Sequence, residues 1–450
     1  MRYLILPTAL LAMIATPAFA QNDPANGVSE DRLRNDVERM VAFGTRHTLS
    51  GMDDPERGIG AALAWGRGEF EAASADCGGC LEVRYVEREM SGRRIPEPVL
   101  IRDAVAIQRG TERPNEVVII QGHIDSRASD VMDAQIDAPG ANDNASGSAL
   151  VLEAARMMSR QSYPTTVVYA LLDGEEQGLY GGTLLADFAA EQGWTVKAVL
   201  NNDIVGGSCG SDGVCERGYV RVFSDGTRVD ADDALRAQMR SMGGGNDSPS
   251  RNLSRFAAGV AEAGAEEFAV RQVWRSDRMG RGGDHLPFLD HGFPAIRFSV
   301  AIEDYNHQHQ DVRVEDGVTY GDTVDEMDFP YLASVTRLNV EVASALARAP
   351  MPPVVQVDGM VRPDVLLEWE PVAGAVRYNV WRRATDERDW TLRDTLEGDP
   401  AADLNAITLA PDRGDDWIFG VSAVAADGAE SPVASAVPGG GFYPLPRGDD

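Results

Sequence analysis

His123 in VVIIQGHIDS, Asp143 in PGANDNASG, Glu176 in LLDGEEQGLYGG, Asp203 in LNNDIVGG and His309 in YNHQHQDV are side chains of the kind that ligate divalent metal ions. Two neutral imidazoles and three carboxylates suffice for two zinc ions. The charges of such a core balance, since two divalent ions offset Asp143, Glu176, Asp203 and one hydroxide, and this makes burial in a cleft tolerable. One carboxylate can bridge ions about 3.5–4 Å apart, and ions so placed activate a water for hydrolysis. Glu175 stands beside Glu176. Adjacent carboxylates repel unless cations or a shared proton compensate, so one can ligate metal while its neighbour takes a proton from water. Each motif also has a plain reading: His123 and Asp125 as a structural pair at a turn, Asp143 as a helix N-cap, the two glutamates as a solvated acidic turn. Their coincidence in one chain favours the metal-centred hydrolytic reading.

These residues must be carried to one place by the elements before them. Val117–Ile120, Thr165–Leu172, Ala198–Leu200 and Ala295–Val300 are short apolar runs of strand type. They alternate with helical stretches at Ser148–Ser159 and Leu179–Ala190, which predicts a mostly parallel mixed sheet flanked by helices. His123, Glu175, Glu176 and Asp203 then emerge past strand C-terminal ends, the edge where open α/β sheets bind ligands. Asp125 is placed to accept the His123 N–H and fix its tautomer. Ahead of the sheet, Ser29 opens a helix with Leu33, Val37, Met40 and Val41 on one face, and a second helical stretch runs over Gly58–Ala73. A long helix over Asp328–Ala349 is stopped by Pro350. The Gly- and Ser-rich stretches Met242–Asn252 and Ser276–Asp284 read as loops. Asp284 and His285 read as supporting or substrate-facing groups.

With 450 residues there is room for a large domain and a smaller one. Acidic residues number 71 against 41 basic ones, for a net charge of −30, which argues against a nucleic-acid partner. MRYLILPTALLAMIATPAFAQ has the basic start, short apolar run and small-residue cleavage site of a secretory signal over residues 1–20. A soluble exported protein, periplasmic or secreted, is expected, with no membrane span after signal removal. Four cysteines fit an oxidising compartment. They allow three pairings; the local ones, Cys77 with Cys80 and Cys209 with Cys215, are favoured.

Beyond Pro350 the helix–strand alternation stops. VLLEWEPVAGAVRYNVWRR and WIFGVSAVAADGAESP read as alternating strands. The segment 353–440 is expected to be a small all-β sandwich resembling a fibronectin type III module, with Trp369, Tyr378 and Trp381 as core aromatics.

From residue 30 to about 348 the chain resembles the co-catalytic di-zinc aminopeptidase family, aminopeptidase Y and bacterial leucyl aminopeptidases among them. The motifs in order are GTRHTLSG, GHIDS, PGANDNASG, LLDGEEQGLYGG, NND, GGDHLPFLDHGFPA and the final HQD. The resemblance implies a zinc peptidase domain over 29–350 and peptide substrates with a free N-terminus. It implies that Asp143 bridges two zinc ions, that His123 and Asp203 complete one site, and that Glu176 and His309 complete the other. Glu175 would be the general base, and Asp125 would orient His123. It also implies a cis peptide after the bridging residue, at Asp143–Asn144. The chain departs from the family pattern where Asn142 and Asn144 replace acidic neighbours of the bridge. In HQHQD both His307 and His309 are candidates, with His309 preferred. Related enzymes supply the alternatives: a glutaminyl cyclase with a single zinc, or a carboxypeptidase using Arg278, Arg281 and Arg297 as a basic pocket. A non-catalytic binding or adhesion protein is the alternative of another class. The target of the C-terminal module is not legible.

Overall fold

The first helix, α1 (Glu30–Val41), starts where the Ser29 side chain accepts the N–H of Arg32, and it buries Leu33, Val37 and Met40. A computed structural model describes residues 23–264 and 267–446; the expected signal at residues 1–20 lies outside the described residues. After α2 (Gly58–Asp76) the chain forms β1 (Leu81–Gly92) and β2 (Ile95–Gln108), a long antiparallel hairpin that stands outside the expected alternation. The alternating part follows: β3 (Arg113–His123), α3 (Ser146–Met158), β4 (Thr165–Leu172), a single turn α4 (Glu175–Gly178), α5 (Tyr180–Glu191) and β5 (Thr195–Asn202). Next come β6 (Tyr219–Phe223), α6 (Asp233–Ser241), α7 (Pro249–Ala263), β7 (Ala269–Val273), α8 (Leu286–Asp290) and β8 (Ala295–Ser299). A short hairpin, β9 (Arg313–Glu315) with β10 (Val318–Tyr320), precedes α9 (Phe329–Arg348). The stretch expected as a loop at 242–252 is a loop only in part, because α7 begins at Pro249 behind the N-cap Ser248.

The eight-stranded sheet has the order β1-β2-β4-β3-β5-β8-β6-β7. Its centre, β4-β3-β5-β8, is parallel, and antiparallel pairs join β1 to β2, β2 to β4 and β6 to β8. All eight residues of β4 are buried, as expected of a strand covered on both faces. One face packs on α1, α2, α3, α7 and α9 through residues such as Leu33, Ile59, Leu150, Leu253 and Leu338. The other packs on α5 and α8 through Leu184, Phe188 and Phe288. Each such side chain contributes about 1.5–3 kcal/mol on burial, so the parallel strand ends form a rigid platform.

The remaining strands are β11 (Val355–Asp358), β12 (Val365–Trp369), β13 (Ala375–Ala384), β14 (Thr391–Glu397), β15 (Asn405–Leu409), β16 (Trp417–Ala425) and β17 (Ala434–Ser435). They form antiparallel sheets ordered β11-β12-β15 and β14-β13-β16-β17 around a separate core. Trp369 and Tyr378 meet edge to face in that core. Trp381 does not join it; it is half-buried and donates to Ser422 at 2.7 Å. Both local disulfides, Cys77–Cys80 and Cys209–Cys215, are formed. No helix among the described residues is long and apolar enough to cross a membrane.

Candidate metal centre

Parallel pairing puts the ends of β3, β4 and β5 side by side, and from there the loops deliver the ligand-type groups. His123 is the last residue of β3. Its Nε2 lies 3.3 Å from Asp143 and 3.7 Å from Asp203, and its Nδ1 faces Asp125 at 3.3 Å. His309 Nε2 lies 3.0 Å from both Asp143 and Glu176. The five residues therefore form two triads, His123/Asp143/Asp203 and Asp143/Glu176/His309, that share Asp143; within each, the ligand atoms lie within 4.8 Å of one another. His307 is elsewhere, between Asp304 at 2.8 Å and Glu326 at 3.3 Å. That placement separates the two histidine candidates.

Local structure explains why these groups converge. Gly174, at φ +84°, makes the left-handed turn after β4 that sends Glu175 and Glu176 into α4. Asp125 accepts the N–H groups of both glutamates at 3.2 and 3.1 Å, so the residue that faces His123 also fixes the turn carrying the candidate base. Gly147 opens α3 against β5; a Cβ there would lie 2.1 Å from the Asn202 carbonyl. The Asp143–Asn144 peptide is cis. Asn142 and Asn144, where the resembled family has acids, tie this loop to the Asp203 segment: Asn144 accepts from Ile204 N–H at 3.1 Å and Asn142 from Gly206 N–H at 2.8 Å. Arg46, from the RHTLSG turn, is fully buried and donates to the carbonyls of Ile124, Pro139 and Gly140, joining the loops that lead to Asp125 and Asp143.

Two supporting residues lack any local signal. Asp322 accepts the N–H groups of Asn142 and Asp143 at 2.8 and 2.6 Å, and Gln308 donates to Asp143 Oδ2 at 2.8 Å. Asp284 and His285 are buried behind the centre, with Asp284 accepting from Gly182 N–H and His285 bonded to the Ser276 carbonyl, so neither faces substrate. The arginines suggested as a basic pocket are largely spent. Arg297 is buried against Asp203 and Asp277, each at 2.9 Å, while Arg278 and Arg281 pair with Glu303.

The electrostatics are those of a centre short of positive charge. Burial pulls the His309 imidazole down, but Glu176 and Asp143 outweigh it and push it up to about 10. His123 is likewise raised against its burial by Asp125, Asp143 and Asp203. Burial raises the Glu175 carboxyl well above its ordinary range, reinforced by Asp203 and Glu176. Burial also lifts Asp284 to about 7, with Asp125 and Asp203 adding to it. The chain thus stores protons where cations would sit. His123 Nε2 and Glu176 Oε1 are buried and in ion-pair contact but make no hydrogen bond, which leaves their lone pairs open to a metal ion. The donor set fits zinc: nitrogen and oxygen, with no free thiol.

A cavity of about 360 Å³ opens over Asp143, Glu175, Glu176, Asp203 and His309. A family model described as Peptidase family M28 matches residues 104–319, which contain all five of those residues and His123. A relative from Pyricularia oryzae named "probable zinc metalloprotease" is 42% identical over 436 residues, covering 94% of this chain and 84% of the relative. The chain belongs to peptidase family M28. Among solved structures, the Legionella pneumophila LapA aminopeptidase shares the fold at 16% identity and a TM-score of 0.52, over 77% of each chain. A glutaminyl cyclase from Fimbriiglobus ruber shares it at 19% identity and a TM-score of 0.50, over 70% of this chain and 95% of that one. The peptidase fold alone therefore accommodates more than one chemistry, and the site must discriminate between them.

Proposed function

We propose that this M28 peptidase is an exported aminopeptidase that uses two zinc ions to hydrolyse the first peptide bond of substrates with a free N-terminus. The observation that carries the reading is the pair of triads sharing Asp143 beside Glu175. His123 and Asp203 would hold one ion, Glu176 and His309 the other, with Asp143 between them. When bound, the ions would polarise the scissile carbonyl and acidify the attacking water. Glu175, raised in pKa and facing the cavity, takes the proton from that water and returns it to the departing amine. Asp125 holds the Glu175 N–H and the His123 ring, so base and ligand keep one geometry. The name of the Pyricularia relative supports zinc, and that of the Legionella neighbour supports an aminopeptidase. Two disulfides support export, to periplasm or medium. The three- and four-stranded sheets of the C-terminal unit support a fibronectin type III-like spacer. A glutaminyl cyclase would need one ion, and the second triad speaks against it; release of free amino acid rather than pyroglutamate separates the two.

The test is a panel of aminoacyl-anilides with and without chelator, and the Glu175→Gln variant. Chelation should abolish turnover and zinc should restore it. Glu175→Gln should keep its zinc by elemental analysis while kcat falls about 10²–10⁴-fold, the usual contribution of a general base. Parental turnover in that variant would remove Glu175 from the mechanism.

A further inference from the structure

Arginines line the cavity of a chain whose net charge is −30, and they are of two kinds. Arg278 and Arg281 are turned onto carboxylates, meeting Glu303 at 3.4 and 2.9 Å beside Arg221, with Asp277 also 3.1 Å from Arg278. Arg94 and Arg127 pair with no carboxylate among the described residues. Arg94 spends one N–H on the Glu176 carbonyl at 2.6 Å. Arg127 donates to the carbonyls of Ala128 and Ser129 at 3.1 and 3.2 Å. A guanidinium carries five N–H donors, so both keep donors and a full charge. Both are half-buried on the cavity wall.

Neither is placed by chance flexibility of a surface loop. Gly92 pairs with Ile95, so Arg93 and Arg94 form a two-residue turn at the tip of the β1–β2 hairpin. That tip rests on Tyr180; a Cβ on Gly92 would lie 2.0 Å from its hydroxyl. Arg127 follows His123 and Asp125 directly, in a segment whose Ser126 is bonded to Arg46 N–H and to the Ala138 carbonyl. Two cations thus reach one cavity from separate elements. A balanced metal core leaves both without a carboxylate of the chain, so a ligand carboxylate is the complementary charge. The acidic surface repels anions only within about 8 Å at physiological salt, so fixed local cations decide what binds. Planar guanidinium groups recognise carboxylates by paired, charge-assisted hydrogen bonds.

We infer that Arg94 and Arg127 form a carboxylate-binding subsite, and that the preferred substrates are short peptides with a carboxylate beside the scissile bond. The carboxylate is either the C-terminus of a dipeptide or the side chain of an acidic second residue. The inference rests on the peptidase reading above.

The experiment compares kcat/KM within two matched pairs on the zinc-loaded full chain. Leu-Gly against Leu-glycinamide tests the C-terminal source; Leu-Asp-amide against Leu-Asn-amide tests the side-chain source. At least one acidic member should be favoured tenfold or more, chiefly through KM, and the favoured pair names the source. Arg94→Gln and Arg127→Gln should each reduce that ratio several-fold, and the double variant should bring it near one. Arg94→Lys should fall between, keeping the charge and losing the fork. The ratio is internal to each preparation, so partial misfolding does not alter it. Ratios near one in both pairs for the parent, or a preference that survives the double variant, overturn the subsite alone. Failure to hydrolyse any of the four peptides overturns the peptidase reading and the subsite with it.

Discussion

At the joint between α7 and the C-terminal sheets, Asp247 is buried and fully engaged. Arg383 grips its two oxygens at 2.7 and 2.6 Å, Ser435 adds a bond at 2.9 Å, and Arg255 stands 3.6 Å away. At the metal centre, buried charge is arranged differently. Asp143, Glu176 and Asp203 crowd around two histidines and Arg297, and His123 Nε2 and Glu176 Oε1 make ion-pair contacts without a hydrogen bond. Taking a charge out of water costs several kcal/mol unless nearby charges and hydrogen bonds replace the solvent. For Asp247 the joint meets that condition with fixed side chains, although Arg383 Nε stays buried without a hydrogen-bond partner. The centre meets it with protons: against the cost of burial, His123 and His309 hold Asp143 below the usual carboxylate range, and Arg297 and His123 do the same for Asp203, while both imidazoles are themselves raised, a role that divalent cations would take over. A joint whose counter-charges are fixed arginines holds two units together; one whose counter-charges are exchangeable protons on histidines is suited to bind an ion.

The largest expected effect separates the two regions by metal dependence. Asp143→Ala removes the group common to both triads, so zinc content should fall from two ions per chain to none. Activity should fall further than the roughly 10²–10⁴-fold loss that accompanies removal of a general base. In the parent, chelation should also lower stability, by about 3–4 kcal/mol for each ion if free zinc stands at 100–1,000 times Kd; in Asp143→Ala it should change nothing. Elemental analysis and denaturant unfolding with and without chelator measure both. One ion retained at parental affinity would mean that the triads do not share their bridge.

The next effect is confined to the joint. Asp247→Ala leaves Arg383 and Arg255 buried without their carboxylate and should cost about 3–5 kcal/mol, with or without zinc. Replacing the pair together, Asp247→Leu with Arg383→Met, should recover most of that loss, because apolar groups of similar volume often match a buried ion pair. Unfolding curves of the single and double variants give the comparison. A single-variant cost below about 1 kcal/mol would show that water already screens the joint.

The same contrast explains what the sequence reveals. His123, Glu175, Glu176 and Asp203 stand at or just past the ends of short, β-branched apolar runs of strand length, so their common edge is readable from local pattern. The α1 cap and the two short cysteine spacings are local as well. Asp322 and Gln308 reach Asp143 across 179 and 165 residues, and no local pattern encodes such a contact. The β1–β2 hairpin alternates charge with half-buried side chains, and its strands are stabilised by cross-strand partners such as Glu87 with Arg102 at 2.8 Å. Helix α7 hides behind PSRN because its buried Arg251 and Arg255 are tolerable only beside groups beyond their own helix, Ser224 for the first and Asp247 for the second. His309 and His307 differ by two positions, and only the tertiary path decides which imidazole meets Glu176.

Lys197 offers the smallest and finest test, a buried charge held mainly by neutral oxygens, that of Thr165 at 3.2 Å among them, and closed to an external ion. Its Nζ donates to the carbonyls of Ala349 at 2.6 Å and Leu346 at 3.1 Å, at the C-terminal end of α9, and Glu116 lies 3.2 Å away. Helix-end carbonyls favour a cation, yet burial dominates and pulls the ammonium down to about 8 from 10.5. Below pH 8 the lysine is protonated in both folded and unfolded chains, and the folded state bears the cost of the buried charge. Between pH 8 and 10.5 the unfolded chain binds the proton and the folded chain does not, so stability rises with pH across that window. A shift of this size corresponds to about 3 kcal/mol. Lys197→Met removes the titration, so the stability difference between parent and variant should move by up to about 3 kcal/mol in the parent's favour from pH 8 to 10.5. Denaturant unfolding at several pH values reads it. A difference that stays flat would mean that the carbonyls of α9 replace water completely, and would place Lys197 with the self-sufficient joint rather than between the two regions.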